Sequence, residues 1–144
     1  MARVEAVFAR PFAASREGRM ELELQGSVGR VGELAALELS VKALQWRDAP
    51  VVDIQLPAGV EADERLLASL RANGAVRSVE AREPGFVRLR LVALEPQQTV
   101  AIPLPLRWRA SGSVRGLAVV AYDAASPERM SVLPSRVLEV GPEG

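Results

Sequence analysis

Apolar residues recur at every second position along most of this chain. In "RMELELQG", Met20, Leu22 and Leu24 alternate with Glu21, Glu23 and Gln25, as in a strand with one face buried. In "ELAALELSVKAL" the inner set is Leu37, Leu39 and Val41, and the outer set is Glu38, Ser40 and Lys42. The glycines of "GSVGRVGE" between them mark a turn. "PVVDIQLP" reads as a short strand ended by Pro57, with Asp53 directed away from Val52 and Ile54, toward solvent. "AVRSVEAREPGFVRLRLVAL" reads as two strands turned at Pro84-Gly85, with Val87, Leu89 and Leu91 opposite Arg88 and Arg90.

The cleanest alternation is "TVAIPLPLRWR", where Val100, Ile102, Leu104, Leu106 and Trp108 share one face. Pro103 and Pro105 on the other face lack backbone donors, which predicts a sheet edge or a bulge. "SVRGLAVVAYD" and "SVLPSRVLEV" supply the last strands, and "GPEG" is expected to be a frayed tail. About eight or nine strands separated by turns predict an all-β fold, an antiparallel β-sandwich.

One stretch breaks the period. Leu66, Leu67 and Leu70 fall at helical spacing, which predicts a helix over about 62–73 with these leucines inward and Arg65, Ala68 and Ala72 outward. Asp63 is a fair N-cap, Glu61 and Glu64 suit the positive end of the helix dipole, and Gly74 offers a left-handed stop. So short a helix is marginal in isolation and needs a sheet edge or open end to cover.

Composition narrows the chemistry. The 144 residues, 49% hydrophobic and with no net charge, suit one soluble globular domain, and no global field favours nucleic acid or an anionic membrane. There is no apolar run long enough for a membrane span. The start, Met1 to Glu5, lacks the apolar stretch of a secretory signal, so the protein is expected to be cytoplasmic if complete, or else a piece of something longer. Histidine and cysteine are both absent, which removes disulfides, imidazole bases, thiolate nucleophiles and the common zinc ligands.

The remaining candidates read as structural. Glu61, Asp63 and Glu64 lack the glycine turn and alternating oxygen donors of a calcium loop. Ser111, Ser113, Ser131 and Ser135 have no nucleophile elbow, and the sole lysine, Lys42, is on the polar face of a strand. Arg88, Arg90, Arg107 and Arg109 would form a basic patch if their strands were neighbours, but Trp108 points the other way, so a solvated face is the better reading. Tyr122-Asp123 reads as a corner in which the phenol bonds to backbone, and Trp46 is the one plausible aromatic platform. No catalytic residue, cofactor or metal site emerges, and the chain is not read as an enzyme.

The order of these elements resembles the C-terminal receptor-binding domain of the alpha-2-macroglobulin family, bacterial type. The markers are the strand end at Asp53, Leu56, Pro57 and Gly59, the helix, the Gly74-Ala75-Val76 strand start, the strand following "LEPQQTV" and the late Ala121-Tyr122-Asp123. The likeness covers roughly 50–140, with the preceding strands supplied by "ELELQGSVGRVGELAALELSV"; the whole is one domain, in which residues 1–30 form either its first strand or part of a preceding unit. The resemblance implies a β-sandwich with one helix, serving as a terminal module of a periplasmic or secreted protease trap. Its partners would be the other domains of the parent chain and, indirectly, a trapped protease. In animal members two lysines one turn apart on the helix engage an endocytic receptor; here Glu64 and Ala68 occupy those positions, so that receptor is not an expected partner. Glu64, Arg65, Ala68 and Arg71 are then the candidate partner-binding residues. The family's Tyr-Asp-Tyr-Tyr element is reduced to Tyr122-Asp123-Ala124-Ala125.

Overall fold

The computed structural model describes residues 15–58, 60, 62–82 and 85–142. Their strands are β1 (Ser15–Arg16), β2 (Met20–Ser27), β3 (Ala36–Ala43), β4 (Pro50–Gln55), β5 (Val76–Arg82), β6 (Phe86–Leu91), β7 (Thr99–Leu104), β8 (Gly112–Gly116), β9 (Ala118–Asp123), β10 (Ser131–Leu133) and β11 (Arg136–Val140), with one helix, α1 (Glu64–Ala72), between β4 and β5. A six-stranded sheet runs β1-β10-β9-β4-β6-β5, a three-stranded sheet runs β2-β3-β7, and β8 pairs with β11. Every ladder within these sheets is antiparallel. The described residues form an all-β sandwich carrying one short helix.

The alternating residues meet in a single core. Leu37, Leu39 and Val41 of β3 stand opposite Leu104, Ile102 and Val100 of β7. They pack in one buried cluster with Val52, Ile54, Val87, Leu89, Leu91, Val119 and Ala121 of the larger sheet. Each valine, leucine or isoleucine among them contributes about 1.5–3 kcal/mol by leaving water. β7 lies at the edge of its sheet, as the prolines require. Ala101 turns its carbonyl away from β3, toward Asn73, and Pro103 two residues later shares that orientation. Its missing N–H therefore falls on the free edge and removes no ladder bond.

The helix packs against β5 and β7, the edge strands of the two sheets, and so closes one open side of the sandwich. The Asp63 carboxylate accepts the Leu66 N–H at 2.9 Å, as an N-cap should. Leu66 and Leu70 are buried, whereas Leu67 is only half-buried at the margin of the stripe. Gly74 does not supply a left-handed stop. The helix ends at extended Asn73 (φ −74°, ψ 122°), whose backbone N–H bonds to Leu70 O. Its side chain replaces the glycine's role: Nδ2 donates to Ala101 O and Oδ1 accepts from Ala75 N, both at 2.9 Å.

Two further features concern the C-terminal third of the chain. Within "SVRGLAVVAYD" the chain passes from β8 to β9 at Leu117, which has φ 56° and is fully buried. A left-handed leucine costs about 1–2 kcal/mol, offset here by burying the side chain while the chain changes sheets. The tail, expected to be frayed, is not so at its start. Gly141 donates to Gly29 O and accepts from Val31 N, both at 3.0 Å, which pins it to the β2–β3 turn. Trp108 fastens the same turn, its Nε1 donating to Val28 O at 2.6 Å. Glu61, Glu143 and Gly144, which entered the helix-dipole and tail readings, lie outside the described residues, as do Gly59 and Pro84.

Candidate interaction surface

Two surfaces concentrate side chains that are not used by the core. The first is the outer face of α1. Glu64, Arg65, Ala68 and Arg71 are all exposed there, at spacings that put them on one side of the helix. The acidic residue sits in the first turn and Arg71 in the last, where each complements the helix dipole.

The second is the outer face of the six-stranded sheet. The ladder registers align Ser78, Arg90, Val51 and Tyr122 in one row and Glu80, Arg88, Asp53 and Val120 in the next. Asp53 indeed points away from the core, but it does not face open solvent: its side chain is 14% exposed. Arg88 grips it from the neighbouring strand, Nε to Oδ1 at 2.8 Å and Nη2 to Oδ2 at 3.0 Å. The Tyr122 hydroxyl donates to Asp53 Oδ2 at 3.2 Å, so the phenol bonds to a side chain and not to backbone. Burial, then the Asp53 charge, push the Tyr122 phenol up from its usual value, while the Asp53 hydrogen bond raises the Arg88 guanidinium. Arg88 also lies 5.6 Å from the centre of the Phe86 ring, with Arg82 at 6.0 Å.

The four-arginine patch does not form. Arg88 and Arg90 are on β6, in the six-stranded sheet, whereas Arg107 and Arg109 follow β7 of the other sheet. Arg107 instead donates through Nη1 to Gly32 O. Strand adjacency, which alternation does not reveal, decides this.

Asp123 has a structural task that its spacing did not disclose. It is 6% exposed, and it accepts from Asp48 N at 2.9 Å, Ala49 N at 3.4 Å and Ala125 N at 3.0 Å. Burial alone would raise its pKa, but these three N–H groups and the charge of Arg47 outweigh it and hold the carboxyl below its usual range. An Asp closing a hydrophobic strand was the available signal, though two of its three partners, Asp48 and Ala49, lie some seventy positions away.

Below the Asp53 row a groove of about 770 Å³ has Phe86, Ala118, Val120 and Tyr122 on its floor and Pro127 and Met130 among its lining. Trp46 is 51% exposed. Its loop is held by paired backbone bonds between Arg47 and Leu94, both 2.9 Å. Of the candidate serines, Ser131 is buried and accepts from Met20 N at 3.1 Å, and Ser113 donates to Glu139 at 2.6 Å. Among the described residues no group of three or more carboxylates is placed to hold a metal ion. No described helix is long and apolar enough to cross a membrane.

No protein-family model matches the sequence, and no curated protein matches it. Solved structures do share the fold. Trypsin-activated alpha-2-macroglobulin from Escherichia coli superposes with a TM-score of 0.63 at 19% identity, over 85% of this chain and 10% of that one. Salmonella alpha-2-macroglobulin reacted with methylamine gives 0.58 at 23% identity, over 85% and 9%. Native Escherichia coli alpha-2-macroglobulin spanning domain MG7 to the C-terminus gives 0.61 at 21% identity, over 90% and 25%. The chain thus spans a small part of each of these proteins, and what it shares with them is the fold of a macroglobulin-like β-sandwich domain.

Proposed function

We propose that this chain is a non-catalytic, C-terminal module of a bacterial alpha-2-macroglobulin-like protease inhibitor, located in the periplasm or secreted as part of a longer polypeptide. It works by packing against the other domains of that polypeptide and shielding a thioester region, and it meets a trapped protease only indirectly. The observation that carries this reading is the likeness over 90% of the chain to a segment running from MG7 to a macroglobulin C-terminus. The absence of histidine and cysteine agrees with a role in packing, since it leaves no imidazole base or thiolate. The outward face of α1, with Glu64, Arg65, Ala68 and Arg71, is the proposed partner-facing surface.

The test is made on the native polypeptide. An antibody raised against the chain should detect, in the source cell, a species several times larger than 15.5 kDa that incorporates labelled methylamine. A mature species of 15.5 kDa that takes up no methylamine overturns the proposal.

Exposed Trp46 on its pinned loop favours a second reading, a free-standing adhesion or carbohydrate-binding sandwich. That reading requires saturable glycan binding that Trp46→Ala abolishes.

A further inference from the structure

The six-stranded sheet carries a second feature on its outer face, at the end where β5 begins. Val76 of β5 faces Leu91 of β6 and Ser78 faces Arg90, so Arg77 is an extra residue in a β-bulge. A bulge re-aims its side chain. Here it places Arg77 and Ser78 with Arg90 in the lining of a cleft of about 300 Å³, which Pro50 and Val51 also line. Val51, on the same outer face, is only 2% exposed and lies outside the main core, so it sets an apolar residue among the charged ones.

The charges around the cleft do not balance. The described residues of β4, β5 and β6 hold four arginines (77, 82, 88 and 90) against two carboxylates, Asp53 and Glu80. Asp53 is consumed by Arg88 in a two-point contact. Glu80 is divided between Arg82 at 3.5 Å and Arg90 at 3.6 Å, and its side chain is 40% exposed. Exposed pairs at that distance are weak, so the Arg90 guanidinium keeps donors to offer. Arg77 has no charged partner among the described residues. Two guanidinium groups that line one cleft with a hydroxyl and the apolar Val51 match a carboxylate on a short hydrocarbon stem, because the planar donors engage both oxygens.

We infer that the Arg77–Ser78–Arg90 cleft is a docking site for a glutamate or aspartate side chain of a partner polypeptide. The inference goes beyond the proposed function and stands whether or not the parent chain is a protease inhibitor. The whole chain, isotope-labelled, is titrated with acetyl-Val-Glu-Val-Glu-Val-amide while the Arg77 and Arg90 Nε–H and Ser78 amide resonances are followed by NMR. Saturable shifts confined to these groups and weakening with salt are expected. Arg77→Gln and Arg90→Gln should each reduce affinity roughly tenfold; Arg136→Gln, on β11 outside this sheet, should leave it unchanged. The glutamine version of the peptide should produce no saturable shift. Absence of saturation, equal response to the glutamine peptide, unaltered binding in Arg77→Gln, or saturation by inorganic phosphate with none by the peptide each overturns the assignment.

Discussion

Asp53 and Arg88, thirty-five positions apart, face each other on β4 and β6 and form a two-point ion pair at 2.8 and 3.0 Å. The side chains are 14% and 25% exposed, so the pair is partly shielded from water. Asp53→Asn should lower stability by about 1.5–3 kcal/mol, the range for hydrogen bonds to charged groups. A double-mutant cycle with Arg88→Gln, read by urea denaturation, should show that the two losses do not add. Additive losses would mean that the contact contributes nothing of its own.

Acid stability should depend on Asp123. Its pKa is lower in the fold than in the unfolded chain, so its stabilising effect is fully present above the ordinary carboxylate value. The effect is lost as pH falls below about 4. Asp123→Asn should therefore be less stable near neutral pH and show a shallower decline on the acid side. Thermal melts of both forms across pH 2 to 7 make the comparison.

The two sides of the helix should respond differently. Leu70→Ala removes a fully buried side chain and should cost about 2–5 kcal/mol. Ala68→Lys, on the exposed face, should stay within about 0.5 kcal/mol of the parent. Chemical denaturation reads both, and equal effects would show that the helix is docked on a different face.

Asn73 is the latch between helix and sandwich. Asn73→Ala deletes its bonds to Ala101 O and Ala75 N, and should cost about 1–2 kcal/mol. Asn73→Gly should not restore stability, because the native φ of −74° makes no use of glycine's left-handed freedom. Amide exchange should accelerate first in the last turn of the helix.

The outer face of the helix should not bind a lipoprotein-receptor type ligand module, since a carboxylate at Glu64 opposes an acidic pocket. Glu64→Lys with Ala68→Lys should create weak, salt-sensitive binding. Tight, calcium-dependent binding by the unmodified chain in surface plasmon measurements would show that Arg65 or Arg71 performs the cationic role.

The sequence by itself determined which side of β3, β6 and β7 enters the core. Side chains alternate with a period of two, so Leu37, Leu39 and Val41, or Val100, Ile102 and Leu104, declare their face within six residues. It also determined the helix and its Asp63 cap, because capping is a contact three residues long. Only the tertiary structure decided which strands are neighbours. That choice separates Arg88 from Arg107, turns Asp53 from a solvated acid into half of an ion pair, and ties Gly141 to Gly29. It also ends the helix through Asn73 and not Gly74, since the carbonyl that Asn73 reaches belongs to β7, twenty-eight positions on. Such pairings depend on burial and hydrogen bonding summed across distant segments, and local periodicity carries no record of them.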